Sequence, residues 1–287
     1  MGQSTVFVSV LLALNMCSCG STSTTTDLST TTEFLRQPGD LLNINGWTIG
    51  PGADLSYANL SGARLTGVNL SGANLSGANL SGAILTYADL TDANLTGANL
   101  NGADLFSAKL TGAFMTGASL LRTNLLDANL SGASMSGANM PYAYLVEADL
   151  SGAILFEADL SYANLFKANL SNAVLTNANL FEANLFGANL SGADLTDADM
   201  SVTDLRDARL TGANLSGVSL NSANLEGANL VEANLSFSWL NYAKLSGANL
   251  SFANLSGADL SDVDLSNVDL TGANLSRARM QYGEIHP

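Results

Sequence analysis

The residue types that could do chemistry in this 287-residue chain are few and badly placed for it. The only histidine is His286, next to the last residue. A Ser-His-Asp or Cys-His relay needs an imidazole held beside its nucleophile, so neither engine is expected. The two cysteines, Cys17 and Cys19, lie in the first twenty residues and cannot build a disulfide framework or a Cys-rich zinc site. The densest acidic stretch is Asp194, Asp197, Asp199, Asp204 and Asp207. Several carboxylates together suit a hard cation such as Ca²⁺. Here Arg206 and Arg209 intervene, so a solvated acidic belt is the expected reading, with no metal and no cofactor. No phosphate loop or paired acid and base is present, and no enzyme activity is expected. With 25 acidic and 10 basic residues the net charge is −15. Binding nucleic acid directly through its phosphates needs a basic surface, and this balance excludes it.

Whatever this chain does must be positioned by its repeats. From Ala53 to Tyr282 it consists of 46 pentapeptides without an insertion or deletion, beginning ADLSY, ANLSG, ARLTG, VNLSG. The third position always falls on a multiple of five and is Leu in 41 repeats and Met in five. The first is Ala in 39, the second Asn or Asp in 32, the fourth Ser or Thr in 30, and the fifth Gly in 20. A period of five fits neither a 3.6-residue helix nor a two-residue strand, and the recurring Gly, Ser and Asn disfavour a helix. The pattern specifies one large and one small inward position every five residues. A chain that turns a corner every five residues supplies them, and four corners close a square coil of 20. Leu fills the coil and Ala fits where the wall comes close. Stacked coils then pair their backbones about 4.8 Å apart, and stacked Asn columns are expected to form amide ladders.

The A(D/N)LxG grammar of residues 53–282 resembles the pentapeptide-repeat family. The resemblance implies an all-β fold, a right-handed quadrilateral parallel β-helix of about 11.5 coils, forming a rod roughly 55 Å long. Members of that family that protect bacterial topoisomerases present a DNA-like acidic rod, which makes topoisomerase binding of the quinolone-resistance type the alternative function. The charge count weighs against it. Residues 53–282 carry 21 acidic and 9 basic side chains, about one net negative charge per coil. Duplex DNA carries roughly 2.8 over the same height.

The flanks divide further. Residues 1–20 read as an export or lipoprotein leader: VFVSVLLALNMC at 6–17 is apolar but too short to span a bilayer, and small residues follow. MGQST at the start lacks Lys and Arg, so a merely apolar N-terminus stays open as the alternative. Cys19 is the candidate for lipidation, although Met16-Cys17-Ser18 before it is a poor match to the usual site. Residues 21–32 are a Ser/Thr-rich linker with too little apolar surface to pack. Residues 33–52 contain Phe34, Leu41, Leu42, Ile44, Trp47 and Ile49 out of the repeat frame, and are expected to cap the open edge of the solenoid at 53–287. The protein is therefore expected to be exported or surface-tethered, and cytoplasmic if the leader is no signal. Membrane contact is expected only through an N-terminal anchor.

Residues 20 apart should stack on one face. On one such face the fourth position is Phe106, Leu126, Val146, Phe166 and Phe186 in five consecutive coils, where Ser or Thr is usual. Tyr144 shares that face, and Tyr142 and Tyr162 lie on the adjoining corner. This stripe, about 20 Å long, is the candidate surface for a protein partner or for self-association as a homodimer. A smaller cluster is Phe237, Trp239 and Tyr242. Two other faces carry almost unbroken Ser/Thr columns, as at 71–271 and 56–276, and a flat hydroxyl face of that kind could meet ice or carbohydrate. The expected function is thus a non-catalytic structural or interaction rod.

Overall fold

The computed structural model describes residues 42–280. The leader, Cys19, the linker, residues 33–41 of the expected cap and the tail 281–287 lie outside the described residues. The described chain opens with two short strands, β1 (Leu42–Ile44) and β2 (Trp47–Ile49), paired antiparallel with Leu42 against Ile49 and Ile44 against Trp47. Asn45 and Gly46 join them with φ of 53° and 84°. Two positive φ values in a two-residue hairpin loop are what a type I′ turn demands, and Asn-Gly is the pair that meets them most readily. Ile49 is buried, and Ile44 and Trp47 pack against the same core.

Beyond the hairpin, the residues at the second position of the repeats bridge the residue 20 further on in parallel, from Asp54 with Asn74 to Asp259 with Arg279, with Lys244 as the one exception in that range. Four pentapeptides therefore close one coil. Each side of the coil is a single bridging residue between turns, far shorter than an ordinary strand.

The backbone bonds explain the grammar position by position. Around Leu55 the third residue's N–H donates to Asn74 O in the next coil at 2.7 Å, and the fifth residue's, Tyr57, to Ser76 O at 2.9 Å. Asn74 N–H donates back to Ala53 O at 2.9 Å, and Ala58 N–H closes the corner onto Leu55 O at 3.0 Å. One donor per repeat is left, the fourth N–H. The Asn or Asp two residues earlier takes it: Ser61 N–H donates to Asn59 Oδ1 at 3.3 Å and Ser71 N–H to Asn69 Oδ1 at 2.9 Å. Every N–H of such a repeat is thus paired, as a structure made almost wholly of turns requires. The fifth residue has positive φ, as at Gly62 (64°) and Tyr162 (58°). Positive φ at the third residue of a four-residue turn is the type II pattern, which is why Gly recurs there.

The Leu, Met and Ala columns form one continuous buried core from Leu55 to Leu260. Where a hydroxyl replaces Ala it donates inward: Thr123 to Leu100 O at 2.8 Å, Thr203 to Met200 O at 2.6 Å, and Ser238 to Leu235 O at 2.7 Å. The predicted amide ladder runs on one face from Asp194 through Asn214, Asn234 and Asn254 to Asn274, with side-chain bonds of 2.9–3.1 Å.

Among the described residues the ladder opens in one place. Lys244 and Asp264 do not bridge, although Asn224 and Lys244 do. Gly247 N–H bonds Asn267 O rather than the Ser266 carbonyl that the register would offer. The segment 264–267 is bounded at both corners by Val, 263 and 268, where Ala is usual. Isolated Val68 and Val218 keep their coil-to-coil bonds, at 2.8 and 2.9 Å. Two successive corners widened by β-branched side chains therefore mark the opening.

Candidate interaction surface

Because coils repeat every 20 residues, a column of side chains is set by sequence arithmetic alone. The bridges carrying Asp104, Asn124, Tyr144, Asn164, Asn184 and Asp204 define one face. Two residues after each stand Phe106, Leu126, Val146, Phe166, Phe186 and Arg206. The five apolar members are half-buried rather than fully exposed. They shelter one another: the Phe166 and Phe186 rings stack at 5.6 Å between centroids and 11° between planes. Lys167 Nζ lies 5.1 Å from the Phe166 ring centre and Arg206 Cζ 5.1 Å from that of Phe186, within cation–π range.

The exposed members are tyrosines. Tyr142, Tyr144 and Tyr162 leave 39–50% of their surface open. Tyr142 and Tyr162 stack nearly parallel, 5° apart with centroids at 4.8 Å, along the corner. Tyr162 also meets Phe181 edge-on at 5.7 Å, and Tyr87 meets Phe106 likewise at 5.3 Å. The structure thus brings all eight stripe residues onto one face and its corner, and adds Tyr87 and Phe181. Burial raises the pKa of the Tyr162 hydroxyl, reinforced by the nearby Glu182.

A second apolar group on the opposite face escapes an inspection of fourth positions alone. Phe114, Ile154 and Val174 occupy the second position and are exposed, with Phe156 beside them. The signal for it is in the sequence: second positions normally hold Asn or Asp, and this column reads Phe, Ser, Ile, Val from 114 to 174. The cluster Phe237, Trp239 and Tyr242 is well exposed. The Phe237 ring lies over Gly257, where a Cβ would come within 2.8 Å of it. An aromatic at a corner is therefore accommodated by Gly one coil later, a local packing device.

The hydroxyl faces are less available than their composition suggests. Ser71, Ser131, Ser191 and Ser251 donate to their own Asn69, Asn129, Asn189 and Asn249 at 2.6–2.8 Å. Those donors are spent inside the repeat. At the ladder opening, a cleft of about 310 Å³ is lined by Glu226, Tyr242, Lys244, Asp262, Asp264 and neighbours. Among the described residues no three His, Cys, Asp or Glu side chains are placed to hold a metal. Asp194, Asp199 and Asp204 sit in three different bridge columns.

The family model for pentapeptide repeats matches this chain in abutting and overlapping stretches from residue 52 to residue 281. The chain belongs to the pentapeptide-repeat family. Among solved pentapeptide-repeat structures, it is similar to HetL, involved in heterocyst differentiation regulation in the cyanobacterium Nostoc. Identity is 33%, covering 80% of this chain and 92% of HetL, with a TM-score of 0.52. Trypsin-treated QnrB1, a plasmid-mediated fluoroquinolone resistance protein, is 22% identical over 61% of this chain and 88% of its own, with a TM-score of 0.46. A pentapeptide-repeat protein of the Arabidopsis thaliana thylakoid lumen is 35% identical over 38% of this chain and 66% of its own, at 0.26. No curated protein matches the sequence.

Proposed function

We propose that this pentapeptide-repeat protein is a non-catalytic rod that associates with protein through the face carrying Phe106, Leu126, Val146, Phe166 and Phe186. The observation that carries the reading is the run of five apolar residues in register on consecutive coils, flanked by the exposed Tyr142, Tyr144 and Tyr162. Contiguous apolar patches rimmed by polar groups mark interaction sites, and tyrosines, which combine apolar area with a hydrogen-bonding tip, are enriched in them. A buried core of Leu, Met and Ala leaves no inward polar pocket for catalysis. HetL, 33% identical over 80% of this chain, is involved in the regulation of heterocyst differentiation.

The finer parts of the reading go with it. The coil is right-handed and counts about 11.5 turns, as 46 repeats of five in coils of 20 imply. The apolar stretch and small residues of 1–20 make it exported, tethered by 21–32 and anchored through Cys19 if that residue is lipidated. The packed hairpin 42–49 belongs to an N-terminal cap. A DNA-mimicking role gains nothing from the surface: Arg64, Lys109, Arg209, Lys244 and Arg279 break up the bridge columns.

The test is Phe166→Asp combined with Phe186→Asp. Sedimentation should show loss of association, with the circular dichroism of the rod unchanged. Wild type that stays monomeric and takes up no partner from its native compartment would remove the reading.

A further inference from the structure

We infer that the occupant of this face is a second copy of the chain, docked antiparallel about a two-fold axis that crosses the face at the level of residues 152–157. This rests on the apolar-face reading above and deepens it. The argument is self-complementarity: in a two-fold interface, residue i must suit residue j and j must suit i.

Four columns on the face test that condition. Residues in one column differ by 20 per coil, so the axis exchanges positions equally far above and below it. In the near corner column it brings Tyr142 against the partner copy's equivalent of Tyr162, and Arg122 against that of Glu182. In the apolar column it sets Val146 against Phe166, Leu126 against Phe186, and Phe106 against Arg206. In the far corner column it sets Glu147 against Lys167. In the bridge column it sets Tyr144 against Asn164, Asn124 against Asn184, and Asp104 against Asp204, whose carboxylate the Arg206 guanidinium already holds. Every full charge among these corner pairs meets its opposite, both aromatic ends meet an aromatic or a guanidinium, and the apolar centre meets itself. Arg206 already lies over one phenyl ring, that of Phe186, and its counterpart across the axis is another. Asp127 alone faces Gly187, and its carboxylate is already taken by the Ser107 hydroxyl at 2.9 Å.

The parallel alternative, with the two-fold along the rod, satisfies fewer of these groups. It pairs Arg122 with Asp127 but sets Glu147 against Tyr142 and Glu182 against Gly187. Like-charge contacts at an interface cost affinity, and matched ones fix register. The rod as a whole carries a net negative charge, whereas the antiparallel arrangement sets Arg122 and Lys167 against carboxylates. Five coils at about 4.8 Å and five residues across at about 3.3 Å give roughly 400 Å² per copy. Twice that is below the ~1,200–2,000 Å² of stable complexes, so the dimer is weak and concentration-dependent.

The experiment is sedimentation equilibrium of the full chain across a concentration series, with charge swaps. Arg122, Glu147, Lys167 and Glu182 all have φ of 54–56°. Exchanging one charged side chain for another there leaves the backbone strain as it was. Arg122→Glu and Glu182→Arg, each alone, should weaken the dimer at least tenfold, and the two together should restore it. Arg122→Gly, the residue most common at this position, serves as the variant that cannot fail to fold for steric reasons, and it too should weaken association. Restoration by Arg122→Glu with Asp127→Arg instead would establish the parallel arrangement and overturn ours. Wild type that remains monomeric up to millimolar concentration would also overturn it. Association that is lost in Phe166→Asp/Phe186→Asp but indifferent to every charge swap would keep the apolar face as the binding surface and discard the antiparallel geometry.

Discussion

On one face of the rod, four coils apart, Leu165 and Leu245 occupy equivalent positions and end up differently bonded. Leu165 N–H donates to Asn184 O at 2.7 Å, and Asn184 N–H returns to Ala163 O at 2.9 Å. Lys244, beside Leu245, makes no bridge to Asp264. Both regions have Leu at the third position, and both have Asn or Asp in the facing coil. What differs is the small column: Ala163, Ala168, Ala183 and Ala188 around the first site, Val263 and Val268 around the second. The corner bonds follow the side chain, at 2.9 Å from Ala168 N–H to Leu165 O but 3.3 Å from Val268 N–H to Leu265 O. Coil closure is set as much by the small inward residue as by the large one, because Ala stands where the chain folds back on itself.

The comparison is broken most strongly through the large column. Leu165 is fully buried and Leu265 only partly. Leu165→Ala should cost about 2–5 kcal/mol, the transfer energy plus a cavity that close-packed neighbours cannot fill. Leu265→Ala should cost less than half as much. In a solenoid each coil contacts only its neighbours, so the opened coil also frays without unfolding the rest. Urea unfolding of both variants checks this, and equal losses would show that the two regions are equally closed.

The small column gives the next effect and both directions of it. Ala183→Val with Ala188→Val places two valines at successive corners around Asn184, where both alanines are buried, and overpacking of this kind costs about 1–3 kcal/mol. Val263→Ala with Val268→Ala removes the same groups from the opened segment. There the lost burial and the regained ladder bonds offset each other, leaving stability within about 1 kcal/mol of wild type. The ladder itself reports the change. Hydrogen exchange at the Leu245 amide should slow in Val263→Ala/Val268→Ala, and at the Leu165 amide it should quicken in Ala183→Val/Ala188→Val. Exchange at Leu245 that ignores Val263→Ala/Val268→Ala would separate the opening from the valines.

These contrasts show how far the sequence could be read. The repeat frame, the inward Leu and Ala columns, the 20-residue coil and the stacking of Phe106, Leu126, Val146, Phe166 and Phe186 all follow from counting, because nothing interrupts the period. The segment 33–52 reads in the sequence as apolar and out of frame, and the hairpin within it turns on Asn45-Gly46, a two-residue signal outside the repeat grammar. Half-burial of the stripe was not visible, since it comes from rings leaning on the next coil. Nor was the loss of the serine donors to Asn69, Asn129 and Asn189, which depends on side-chain rotation. The apolar group at Phe114, Ile154 and Val174 lies in the second position, where the grammar directs attention to Asn. The opening at 264–267 needs two valines at neighbouring corners; one such residue is harmless, so a column-by-column reading passes over it.

The smallest effect compares two carboxylates of one column, Asp204 in the closed rod and Asp264 at the opening. Asp204 is held below the usual carboxylate range chiefly by the Arg206 guanidinium, whose Nε and Nη2 donate to its two oxygens at 2.8 and 2.6 Å. Asp264 is lowered by the Ser266 hydroxyl and backbone, with no cation in the role of Arg206. A folded-state value below the unfolded one, about 3.9, means the folded rod stays ionised where the unfolded chain already takes up protons. That contribution is fully present above pH ~4 and is lost as pH falls through the folded value. Asp204→Asn keeps an acceptor for the Arg206 N–H but removes the charge. It should therefore cost at most about 1 kcal/mol at neutral pH, as expected of a partly exposed pair. The gap to wild type should shrink towards zero as unfolding is repeated down to pH 3. Asp264→Asn should show a smaller gap throughout. A gap for Asp204→Asn that widens on acidification would mean that the guanidinium does not stabilise the ionised form. The pairing would then be a surface contact without energetic consequence, and the difference between the two regions would rest on packing alone.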